Sequence, residues 1–112
     1  MPVVVVIRLR ADDPTLADRA RELLGALRAR PGFVAGTVAG AVDGAVDGTV
    51  DDEDGVVLLA RFADLGSWRR ALGAADVKLI ATPLLGATAE SVGTYEVIDD
   101  AGPGPEPVRL RR

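Results

Sequence analysis

The chain has 112 residues, 17 of them acidic and 13 basic, for a formal net charge of -4; that length fits one domain and leaves no room for two. With 48% hydrophobic and 27% charged residues it can build a core, and its acidic balance argues against nucleic acid or an anionic membrane as a partner. It contains no Cys and no His, which removes disulfides, thiolate nucleophiles, Cys-ligated metals, the usual general base and the usual serine-hydrolase triad.

Val3 to Arg10 is a continuous aliphatic run closed by Arg8 and Arg10. It reads as a buried strand, and is too short for a secretory signal or a membrane span. The expected location is therefore the cytoplasm. Asp12-Asp13-Pro14 reads as a helix start, with Asp13 as N-cap and Pro14 at the first helical position. Leu16, Ala20, Leu23, Leu24 and Leu27 then recur at helical spacing until Pro31-Gly32 stops the helix. Phe33 to Val42 is a second strand, weakened by Gly36 and Gly40.

A tetrapeptide repeat follows: Ala41-Val42-Asp43-Gly44, Ala45-Val46-Asp47-Gly48, Thr49-Val50-Asp51-Asp52. Each Asp-Gly is a hairpin signal, so the repeat reads as an extended hairpin tip whose register is left open. Asp43, Asp47, Asp51, Asp52 and Asp54 offer oxygen ligands, but their spacing fits neither an EF-hand nor a nonapeptide calcium repeat. A solvated loop is the reading adopted, and no metal is expected.

Val56 to Phe62 is a third strand, and Asp64 or Ser67 caps a second helix with Leu65, Trp68 and Leu72 on one face. Val77 to Leu85 is apolar but interrupted by Pro83, which predicts a further short helical turn; Ser91 to Ile98 is the last strand. The Pro- and Gly-rich tail ends in Val108-Arg109-Leu110-Arg111-Arg112, either as a disordered segment or as an arm packed on a neighbour. The expected organisation is one domain over 1–99, with a hairpin insertion at about 43–55, and a tail over 100–112. The order β-α-β-β-α-β is that of an α+β, ferredoxin-like fold: a four-stranded antiparallel sheet with helices on one face.

Strand alternation sorts the side chains. Val3, Val5, Ile7 and Leu9 share one face with Val56, Leu58, Ala60 and Phe62. Val4, Val6, Val57 and Leu59 lie on the other, with Arg8 and Arg61 near one end. An antiparallel sheet that met water there would carry polar residues. The expectation is that a second copy of the sheet covers this face and encloses a cavity for a flat hydrophobic ligand. Tyr95 and Glu96 must face opposite ways: charge sorting puts Glu96 with Arg8, a ligand-site reading puts Tyr95 there, and the sequence leaves both open.

These features resemble the antibiotic biosynthesis monooxygenase family. The likeness is carried by Val3–Leu9, by Arg30-Pro31-Gly32-Phe33, by Val57-Leu58-Leu59-Ala60-Arg61-Phe62-Ala63-Asp64, by Trp68 with Leu72-Gly73-Ala74-Ala75-Asp76, and by Tyr95-Glu96-Val97. It runs over nearly the whole domain. The resemblance implies a homodimeric α/β barrel that oxidises an aromatic polyketide-type anthrone or quinol with O2, without a cofactor. It further implies Arg61, Trp68 and Tyr95 as catalytic residues and Arg8, Val6, Leu59, Phe62, Leu72 and Glu96 as substrate contacts. Phe62 stands where relatives often have Trp, and Trp68 stands where they carry an aromatic facing the cavity. Many relatives have His in or near the second helix, and this chain has none. Two other readings suit the scaffold: a non-oxidative polyketide cyclase or isomerase, and a non-catalytic dimeric module that binds a hydrophobic small molecule.

Overall fold

In the computed structural model, which describes residues 1–11, 13–40 and 55–99, four strands form one sheet. These are β1 (Val3–Arg10), β2 (Phe33–Gly40), β3 (Gly55–Phe62) and β4 (Ala89–Glu96), in the order β2-β3-β1-β4 with every neighbouring pair antiparallel. The chain visits them as β1, α1 (Leu16–Arg28), β2, β3, α2 (Leu65–Gly73), α3 (Ala75–Thr88), β4. This is the α+β, ferredoxin-like arrangement that the sequence predicts. The repeat and the tail lie outside the described residues, so the hairpin and arm readings fall there as well.

The period of two fixes what each sheet face does. Val5, Ile7, Leu9, Leu58, Ala60 and Phe62 are all at most 2% exposed and meet Leu16, Ala20, Leu23 and Leu27 of α1 and Val77 and Leu84 of α3. Burying such a set is what drives this fold to close. Opposite them, Val4, Val6, Val57 and Leu59 are only half-buried, because all three helices pack on the other side.

Three local readings are corrected. Asp13 is not the N-cap of α1. Its carboxylate accepts from the Thr15 backbone N–H at 2.8 Å and from the Thr15 hydroxyl at 2.7 Å, and the helix begins at Leu16. The short side chain of Asp closes its own turn two residues on, in competition with a cap. The second helix and the further helical turn that the sequence separates are α2 and α3, which meet at Ala74 and are set 84° apart. Pro83 does not interrupt α3, which runs 14 residues around it. Pro83 is exposed, on the side of α3 away from the buried Val77, Ala81 and Leu84, so its ring and missing N–H do not disturb the core. The last strand also begins earlier, at Ala89, with a bulge between Arg8 and Leu9 of its partner. No single helix among the described residues is long and apolar enough to cross a membrane.

Candidate functional site

The junction between β3 and α2 is built around a turn. Gly32 has φ +88°, a backbone conformation that favours glycine, and its carbonyl accepts the Ala63 N–H at 2.8 Å. A Cβ on Gly32 would collide with the Ser67 side chain. Ser67 donates its own N–H to the Asp64 carboxylate at 2.7 Å, which caps α2 as the sequence suggests. That bond, more than the nearby Arg70 charge, holds the exposed Asp64 carboxyl below its ordinary value. The cap sets the helix so that Trp68 points inward, 4% exposed. Its ring packs 5.5 Å from Phe62, which meets Phe33 edge-on at 5.6 Å.

Beside this aromatic ladder lies an open cleft of 760 Å³ between α2 and the ends of β1 and β4. Val3, Trp68 and Leu72 give it an apolar wall, and Asp64, Arg69, Thr94 and Glu96 give it polar groups. An apolar wall with a few convergent polar groups is the usual composition of a small-molecule site. Among the described residues no three His, Cys, Asp or Glu side chains come together as metal ligands.

The nine residues singled out from the sequence do not line one chamber. The pairing Val4↔Tyr95 and Val4↔Arg61 puts Tyr95, Val4 and Arg61 in one row on the face away from the helices. Val6 and Leu59 form the next row, and Arg8 the one after. The pairing Val3↔Glu96 puts Glu96 on the helix side, where Phe62, Trp68 and Leu72 also lie. The orientation that the sequence left open is thereby decided: Tyr95 is on the open face and Glu96 is not. Grouping Glu96 with Arg8 is corrected, because directly opposed residues in a ladder share a face. Tyr95 is 60% exposed and its ring lies over Gly93, where a Cβ would come within 2.6 Å of its hydroxyl oxygen. The glycine gives the ring a flat seat on the sheet.

The solved structures that this architecture matches include SnoaB from Streptomyces nogalater, described as a cofactor-independent oxygenase. It is 21% identical, with TM-score 0.68 over 89% of this chain and 96% of that one. A candidate antibiotic biosynthesis monooxygenase from Chloroflexus aurantiacus is 16% identical, with TM-score 0.64 over 93% of this chain and all of the other. The protein Rv0793 from Mycobacterium tuberculosis is 19% identical, with TM-score 0.66 over 91% of this chain and all of the other. The fold is that of the antibiotic biosynthesis monooxygenases. No family model matches the sequence, and no curated protein does. Among the cleft residues that the sequence reading did not single out for the site are Val3, Arg69 and Thr94, and Asp64 in any role beyond capping. Arg69 carried a signal: Leu65, Trp68, Arg69 and Leu72 fall at i, i+3, i+4 and i+7 on one stripe of α2.

Proposed function

We propose that this protein is a cofactor-independent monooxygenase that oxidises a flat, electron-rich aromatic of the anthrone or quinol type with O2. We place the reaction in the cleft against Trp68, in a cytoplasmic homodimer. The observation that carries the reading is the cleft itself. It sets the only Trp of the chain, Leu72 and Val3 beside two carboxylates and one guanidinium, on a fold shared with a described cofactor-independent oxygenase. Of the nine sequence candidates, Trp68, Leu72 and Glu96 line it. Phe62 supports Trp68 from below.

The chemistry asks little of the protein. A phenolic or enolic hydroxyl gives up its proton, and the electron pair spreads onto the ring carbon. That carbon reduces O2 and forms a C–O bond to a hydroperoxide. Loss of the remaining C–H proton breaks the O–O bond, leaving a quinone carbonyl and water. The protein contributes orientation, exclusion of water and stabilisation of the anion. Arg8, Val6, Leu59, Arg61 and Tyr95 lie across the sheet, and in this reading they form the surface that a second copy covers.

The test is oxygen uptake with an anthrone such as dithranol, with no flavin or metal added. The wild-type chain consumes one O2 per quinone formed. Trp68→Phe keeps the fold, because an aromatic still fills the site, and reduces kcat/KM by about tenfold or more through lost positioning. A product of unchanged oxygen content but altered skeleton would point instead to a cyclase or isomerase. Recovery of unchanged dithranol would leave only a binding role.

A further inference from the structure

We infer that Glu96 is the general base of the cleft. Its carboxylate takes the proton from a phenolic or enolic hydroxyl seated against Trp68, and Arg69 supplies the cleft's positive charge toward the oxyanion that remains. The inference rests on reading the cleft as the substrate site.

Position is the first argument. On the helix side of the sheet, one transverse row runs Phe33, Phe62, Val3, Glu96. Three apolar residues are followed by one carboxylate. The helices do not close over that end: Val92, Thr94 and Glu96 of β4, all on the helix side, are exposed. A carboxylate at the rim of an apolar floor stays hydrated in the free protein. It loses water on one side when a flat aromatic settles on that floor, and there it meets the hydroxyl edge of the ring directly.

Elimination is the second argument. The chain has no His or Cys, and its single Tyr and single Lys, Tyr95 and Lys78, do not line the cleft. The charged groups around the cleft are Asp64 and Arg69 from α2, the amino terminus at Met1 from the start of β1, and Glu96 from β4; α3 contributes none. Asp64 is committed to the Ser67 N–H, which favours its ionised form and makes it a weaker proton acceptor. Glu96 carries no hydrogen bond or ion pair to any described residue. In the step proposed, the substrate O–H bond breaks, the proton goes to a Glu96 carboxylate oxygen, and the electron pair stays on the substrate oxygen.

The experiment titrates the full chain with dithranol under anaerobic conditions. Occupancy is followed by Trp68 fluorescence, and ionisation by the visible absorbance of the anthrone anion. Wild type raises the ionised fraction at pH 7 above that of free dithranol. Glu96→Gln binds within about threefold of wild type but leaves the bound probe as neutral as the free one, and Glu96→Asp lies between. With oxygen admitted, Glu96→Gln slows uptake by about 100-fold or more at pH 7. The rate returns as pH rises through the probe's own pKa. Equal ionised fractions in wild type and Glu96→Gln, both bound, would overturn the assignment, as would a failure of dithranol to quench Trp68. If Glu96 ionises the probe but no oxygen is consumed, the base stands and the oxygenase reading falls. If uptake is equally fast in Glu96→Gln, the oxygenase reading stands and the base falls.

Discussion

Gly32 shows how much one residue without a side chain positions here. Its positive φ turns the chain out of α1, and its missing Cβ leaves room for Ser67, whose N–H caps α2 through Asp64. Gly32→Ala therefore incurs a backbone cost and a steric cost together, about 2–4 kcal/mol. The urea midpoint should fall accordingly, and an unchanged midpoint would mean that the turn relaxes without consequence. Asp64 makes a second prediction, this one in pH. Its native pKa lies below the ordinary 3.8, chiefly because it accepts the Ser67 N–H. A group whose pKa is lower in the folded state stabilises the fold fully above its unfolded value and loses that contribution as pH falls through the native value. Asn caps a helix about as well but does not titrate. Between pH 7 and 5, wild type and Asp64→Asn should thus differ by a constant offset in urea midpoint. Below about pH 4 the difference should shift against wild type. A parallel pair of curves down to pH 2 would refute the link.

At the scale of elements, the contrast is between α3 and β4. Pro83 sits in the ninth position of a 14-residue helix and removes one backbone bond. Its exposed position lets Ala replace it without disturbing the face that carries Val77, Ala81 and Leu84. Pro83→Ala should raise stability by about 1–3 kcal/mol, read as a higher urea midpoint with unchanged m-value. A loss of stability would show that the packing of α3 depends on a bend there. The same two elements mark where the sequence stops being legible. In β1 and β3 every second residue is large and aliphatic, so the core face can be read off directly, down to Phe62. In β4 neither alternate set is apolar: Ser91, Gly93 and Tyr95 face one way and Val92, Thr94 and Glu96 the other, while the bulge brings Ala89 to the helix side opposite Leu9. An edge strand exposed on both sides imposes no burial on its sequence, so its register and the facing of Tyr95 and Glu96 come only from its ladder with β1. The two faces of the sheet were legible, with Phe62 on one and Arg8, Val6, Leu59 and Arg61 on the other; the sides to which Tyr95 and Glu96 belong were not. The length of α3 was hidden as well, since Pro83 reads as a breaker although the helix runs through it.

For the whole molecule, the two sides of the sheet ask for different occupants, and one substitution separates them. Val4, Val6, Val57 and Leu59 are already half covered within the chain. Burying them fully on both copies gains roughly 6–12 kcal/mol, of the same order as the roughly 4–15 kcal/mol that association costs. Tyr95, 60% exposed on the same face, adds to the gain. A homodimer across this face should therefore form but remain sensitive to a single charge at its centre, where Val6 and Leu59 are cross-strand partners. Leu59→Lys places an unpaired ammonium there, which burial penalises heavily. Leu59 is on the solvent side of the sheet, so the helix-side core is untouched and the variant should fold with an unchanged circular dichroism spectrum. In sedimentation equilibrium at micromolar concentration, wild type should run as a dimer and Leu59→Lys as a monomer. The cleft, however, lies on the helix side of the sheet, away from this face, so the monomeric variant should still quench Trp68 with dithranol at nearly wild-type affinity. A folded Leu59→Lys monomer that no longer binds would move the ligand to the opposite face, between the two sheets and among Arg61, Tyr95 and Arg8. A wild-type chain that sediments as a monomer would leave the oily face without its proposed cover.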